Sequence, residues 1–204
     1  IYDAAQNIVA WCLTLPYLRS AEITGLNEHS SDNQSAVAYL HQQLIAEAKA
    51  RKQPDQALIL MSHAHMQGGE TSDSERPIVV GNEEALSTAL FDEVIDYVAL
   101  GHLHKPQQVG QPHIRYSGSP IPLSFSELNY KHQVLEVRID PLQADAQRFQ
   151  YESLLIPRTV ELLRIRCELS ELITELNQLP KDEIAEVCAR HFLEIEYVSD
   201  APPP

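Results

Sequence analysis

The sequence predicts an α/β chain, α+β overall, in which a layered mixed sheet is followed by a smaller α+β module. Two short, continuous apolar runs at residues 57–61 and 94–100 have the length and composition of strands covered on both faces. Between them, from Ser35, the apolar period changes to that of a helix: Val37, Leu40, Leu44, Ile45 and Ala48 share one face. After Asp140-Pro141 the pattern changes again, into strand, helix, helix and strand.

The elements follow in order. Residues 8–18, with Trp11, Leu13 and Leu15, read as a buried strand that leaves into a loop at Pro16-Tyr17, and 25–33 is polar and loop-like. Asp32 or Ser35 can cap the helix that follows, and the polar stretch 51–56 with Pro54 stops it. The strand at 57–61 runs into Ser62-His63-Ala64-His65 and a loop carrying Gly68-Gly69. A short helix is expected at 83–91. The second buried strand, 94–100, runs into Gly101-His102-Leu103-His104. Strands at 114–116 and 133–139 follow, the latter alternating as in a sheet with one wet face, with a Ser/Gly/Pro loop at 117–126 between them. Alternation of strands and helices over the first 110 residues implies a layered sheet, which the later strands turn mixed. Beyond, 159–166 and 192–198 alternate as strands, while 170–179 and 183–190 fit helices separated by Pro180. The domain boundary falls near residue 150, giving units of 1–150 and 151–204.

Composition narrows the function. With 29 acidic against 15 basic residues, the formal charge of −14 excludes a broad cationic face for nucleic acid. Contact with DNA must then be local, or come through bound metal or a partner. No run is long and apolar enough to cross a bilayer. Cys12, Cys167 and Cys188 are odd in number and far apart, which points to reduced cysteines filling apolar positions in a cytoplasmic protein.

The chemistry lies where two buried strands each run into a histidine pair, because open α/β sheets bind ligands outside the carboxyl ends of their strands. Gly101 lets the chain turn sharply before His102, and His102 and His104 leave an extended loop on one side. Two such imidazoles can serve neighbouring cations roughly 3.5–4 Å apart, as in two-metal hydrolases. A histidine from the neighbouring strand end can complete the nitrogen ligands of one cation. Spacing does not separate His63 from His65 for that role.

Tyr97-Val98-Ala99-Leu100-Gly101-His102-Leu103-His104-Lys105-Pro106-Gln107, followed by His113-Ile114-Arg115-Tyr116-Ser117-Gly118-Ser119-Pro120-Ile121-Pro122-Leu123-Ser124-Phe125, closely resembles the calcineurin-like metallophosphoesterases. Its Gly-His-x-His element is shared by the superfamily. The long continuation is specific to a DNA nuclease branch that works with an ATPase partner. Leu15-Pro16-Tyr17-Leu18-Arg19 and Glu75-Arg76-Pro77-Ile78-Val79-Val80-Gly81 resemble the same branch.

The resemblance implies that the chain carries the C-terminal half of the phosphoesterase sheet and part of a small DNA-facing capping domain. It implies phosphodiester hydrolysis of DNA, exonucleolytic and endonucleolytic, at two Mn²⁺ ions. His63 and His102 would ligate one ion and His104 the other, with His65 a loop residue. It also implies a homodimer and an ATPase partner. Lys105 and Arg115 are candidate DNA contacts; His113 and His132 read as structural, and His29, His41 and His191 as surface or packing residues. The family's Asp-x-His, bridging Gly-Asp and Gly-Asn-His-Asp/Glu motifs are absent from this sequence, and the proton-donating histidine is absent with them. The expectation is therefore a fragment inactive by itself. Another phosphodiesterase or phosphatase of the superfamily, or a non-catalytic assembly module, are the alternative readings.

Overall fold

The computed structural model describes residues 1–19, 22, 33–75, 85–179 and 191–198. Its centre is a five-stranded sheet in the order β1-β2-β3-β5-β4, built from β1 (Ala10–Leu15), β2 (Ala57–His63), β3 (Tyr97–Gly101), β4 (Gln107–Gln108) and β5 (Ile114–Tyr116). β1, β2, β3 and β5 run parallel and only β4 is antiparallel, so the expected mixed α/β sheet is present.

Strand period decides what each face meets. Trp11 and Leu13 lie beside Leu58 and Leu60, and Leu60 pairs in turn with Val98 and, through it, Ile114. These side chains share one face, and Leu58, Leu60 and Val98 are completely buried there. The helix α1 (Asn33–Arg51) supplies Ile45 and Ala48 to the same core, with Val37 packed against it. A helix between adjacent parallel strands β1 and β2 is the economical way to cover such a face. Asp32, one of the two expected caps, lies outside the described residues.

His41 is the unusual member of the α1 face. It is fully buried, and its Nδ1–H donates to the Val37 carbonyl at 2.8 Å while Nε2 accepts from the Ser62 hydroxyl at 2.9 Å. Both ring nitrogens are thereby satisfied in the neutral tautomer, which is what a buried imidazole requires. Burial pushes its pKa below the ordinary 6.5.

The opposite face is only partly covered. Met61 is 48% exposed, so β2 is not covered on both faces as its apolar run suggests. In β1 only Ala10 is buried, so this strand is an exposed edge and not the buried strand expected at 8–18. At the far end a hairpin of β6 (Gln133–Ile139) and β7 (Phe149–Leu155), joined through the short helix α2 (Asp145–Arg148), closes over the sheet. Phe149 stacks on Tyr97 with ring centroids 5.4 Å apart, and the Arg115 guanidinium lies 3.9 Å above the Tyr151 ring. Asp96 locks the hairpin down: one oxygen accepts the Leu58 N–H at 2.7 Å and the other pairs with Arg148. The β6–β7 ladder runs across residue 150.

The last unit is β8 (Leu162–Cys167), α3 (Leu172–Gln178) and β9 (Phe192–Tyr197), with β8 and β9 parallel. Ile165 and Cys167 are buried, and Arg164 pairs with Glu194 and Glu196 on the other side. The helix expected at 183–190 lies outside the described residues. The helix expected at 83–91 is, in its described part, a single 3-10 turn at Thr88–Leu90 capped by Ser87.

Two outcomes test this frame. Asp96→Ala leaves the Leu58 amide and the Arg148 guanidinium without their partner; unfolding in urea should show a loss on the order of 3 kcal/mol. For His41, the folded chain binds fewer protons than the unfolded chain just below pH 6.5, so its contribution is complete above that pH and falls as the pH drops. The acid-side loss of stability should be shallower in His41→Gln than in the parent chain, measured by urea unfolding between about pH 7 and pH 5.

Candidate metal centre

Parallel pairing of β2 with β3 puts His63 directly opposite Gly101 at one rim of the sheet. The side chain missing from Gly101 makes room for the His63 ring: a Cβ there would sit 3.0 Å from His63 Nδ1. The next residue, His102, brings its ring to 5.4 Å from that of His63, centroid to centroid. His65 also approaches His102, at 6.2 Å, and Tyr17 meets the other side of His63 edge-on at 5.8 Å. The structure thus gathers three imidazoles and does not leave His65 apart.

His102 reaches this position with φ at +106°, a left-handed conformation that costs a residue with a Cβ. Burial, and then the neighbouring His63 and His65 rings, push its pKa down to about 4. Burial also lowers the pKa of His63. Both rings are therefore neutral near pH 7, with lone pairs available to a cation.

His104 is held separately, by two carboxylates. Its backbone N–H donates to Glu75 Oε1 at 2.7 Å, and its Nδ1 lies 2.7 Å from Glu127 Oε1 and 2.8 Å from the Ser74 hydroxyl. Glu127 is completely buried and also accepts from Ser74, from the Ser119 hydroxyl at 3.2 Å and from the Leu123 N–H at 3.0 Å. Burial raises its pKa, but the hydrogen bonds from Ser74, Leu123 and His104 outweigh it and hold the carboxyl below its ordinary range. The loop carrying these donors is fastened to the histidine element: the Ser119 N–H donates to the His104 carbonyl at 2.9 Å. Gly118, with φ at +85°, permits that approach, because a Cβ would lie 2.7 Å from the same carbonyl.

Glu75 and Glu127 were not singled out from sequence. The available signal was position: Glu127 follows the Ser117–Phe125 motif at once, and Glu75 opens the Glu75–Gly81 stretch.

The donor set suits one side of a metal centre. Neutral imidazoles, a glycine cradle and a carboxylate behind a histidine are the parts such a site uses. Among the described residues, however, no group of three or more His, Cys, Asp or Glu side chains is placed to hold a metal ion. Of the candidate DNA contacts, Lys105 pairs with Glu70 at the surface. Arg115 lies over Tyr151 and donates to the Pro112 carbonyl at 3.2 Å and to Gln108 at 3.3 Å. His132 is buried and donates from Nδ1 to the Ser119 carbonyl at 2.9 Å, and His113 lies against Phe149. Among the described residues, no helix is long and apolar enough to cross a membrane.

The crowding at His102 has a direct readout. Its ring signals in an NMR pH titration should show a midpoint near 4, well under the ordinary 6.5. The midpoint should rise in His63→Gln, which removes the second largest cause of the depression.

No family model matches the chain. It is 36% identical over 186 residues to a Rhodobacter capsulatus protein named as the SbcD component of the nuclease SbcCD, an alignment covering 87% of this chain and 44% of that relative. The chain thus spans less than half the length of the relative it matches. Over most of its length, this is an SbcD-like chain.

Proposed function

We propose that the chain contributes the histidine side of a two-cation centre that hydrolyses phosphodiester bonds in DNA, within a nuclease that acts beside an SbcC-type ATPase. The observation that carries this reading is the convergence of His63 and His102, with ring centroids 5.4 Å apart, on the strand rim of an SbcD-like chain. His63 and His102 would hold one ion and His104 the other, and Mn²⁺ suits a mixed imidazole and carboxylate set. When bound, such cations activate water and stabilise charge on the phosphate oxygens. The chain's own residues present neutral nitrogens, fix their directions and exclude competing protons from them. Lys105 is the candidate phosphate contact: its partner Glu70 is an exposed carboxylate, and surface pairs of this kind exchange at little cost. Arg115, held on Tyr151, is the weaker candidate.

The remaining carboxylates and the proton-donating histidine would come from sequence this chain does not carry. The chain alone is then inactive, and double-strand exonuclease and hairpin or single-strand endonuclease activity belong to the complete nuclease, a cytoplasmic homodimer working in DNA repair and recombination.

The test uses the complete nuclease with its ATPase partner, Mn²⁺, a hairpin DNA and a small aryl phosphodiester. DNA cleavage should fall by about 100-fold or more in His102→Ala with the fold retained, since a ligand to the reacting centre is gone. Cleavage confined to the small ester would assign another phosphodiesterase activity. Equal DNA cleavage by His102→Ala and the parent would overturn the proposal.

A further inference from the structure

We propose that Glu127 is the positioning residue of His104: its buried carboxylate holds the hydrogen of the imidazole on Nδ1 and thereby directs the Nε2 lone pair to the cation. The inference rests on the reading of His104 as a metal ligand and goes further, assigning a residue that neither the histidine motif nor the relative's name identifies.

Four features of the geometry support it. Glu127 Oε1 lies 2.7 Å from His104 Nδ1, and an ionised carboxylate can only accept, so the hydrogen of that bond belongs to the ring. The carboxylate is itself immobilised, because its second oxygen takes the Leu123 N–H at 3.0 Å and the Ser119 hydroxyl at 3.2 Å. Ser74 donates to the same Oε1 and lies 2.8 Å from Nδ1, closing that side of the ring to any other ligand. The main chain of His104 is fixed independently, with its N–H on Glu75 and its carbonyl on the Ser119 N–H. Backbone and ring are thus gripped from opposite directions, and only Nε2 is left for a ligand.

A carboxylate behind a ligating imidazole fixes its tautomer and raises its basicity, and its loss commonly weakens metal affinity about 10- to 100-fold. A buried carboxylate serving only to anchor the 117–127 loop would not need the imidazole, since Leu123, Ser119, Ser74 and, at 3.5 Å, Ser72 already supply donors. The imidazole of His104 is the donor that couples Glu127 to the site.

The experiment reads the His104 ring nitrogens by ¹⁵N NMR in the 204-residue chain, taken to the limit of high pH where the ring is neutral. Nδ1 should be the protonated nitrogen and Nε2 the bare one; an Nε2–H tautomer in the parent chain overturns the inference without any mutation. In the complete nuclease, titration with Mn²⁺ should broaden the His104 signals, and Glu127→Gln should need about 10- to 100-fold more Mn²⁺ for the same effect. Ser119→Ala, which removes one of the two contacts on the second oxygen and leaves the contact with His104, should keep the tautomer and raise the Mn²⁺ requirement by less than Glu127→Gln does. If His104 of the complete nuclease is not broadened, its reading as a ligand fails and this inference fails with it. Equal broadening in a folded Glu127→Gln defeats the positioning role alone. Should Glu127→Gln not fold, the parent tautomer and the response of Ser74→Ala, expected to weaken His104 broadening to a smaller degree, decide the matter.

Discussion

Parallel pairing of β2 with β3, in the register that sets His63 against Gly101, is the constraint on which the site depends. Side chains alternate across a strand, so a slip of one residue would send His63 toward the α1 face and Leu60 toward the open one. The register is fixed from below. Leu58 and Leu60 can be completely buried only when they face α1, and Asp96 ties the Leu58 amide to the loop that enters β3. Packing at one end of the strands therefore determines which rings meet at the other.

His41 links the same packing to the rim. It joins α1 to Ser62, the residue next to His63, through a hydrogen bond in a dry interior. A buried polar pair of this kind has one good arrangement, whereas an apolar pair could slide. The helix is thus keyed to β2 at the point where the strand leaves the core for the site.

Much of this was legible in the sequence because apolar continuity and helical period are local signals. The run at 57–61 sits in a parallel strand, that at 94–100 enters one from Tyr97 onward, the face Val37–Ala48 sits on the sheet, and the histidine pairs fall where both strands end. What was not legible depended on contacts between distant segments. β7 was missed because its alternation lasts only from Phe149 to Glu152 before Ser153 and the adjacent Leu154 and Leu155 interrupt it, and its pairing with β6 is what extends the strand to Leu155. Met61 looks like a core residue until the sheet is seen to have an uncovered face. His41 reads from sequence as a surface or packing residue, and only its partner Ser62, on another element, decides for packing. Glu127 lies 23 residues from His104, so no motif spacing announces their contact.

The left-handed backbone at His102 places two demands on one position. Glycine would sit there without conformational penalty, and relief of a strained φ is commonly worth about 1 kcal/mol or more. It would also delete the imidazole that meets His63. If His102 is the ligand proposed above, the one substitution that relieves this backbone is also the one that removes the nitrogen, so durability and cation binding pull this position in opposite directions.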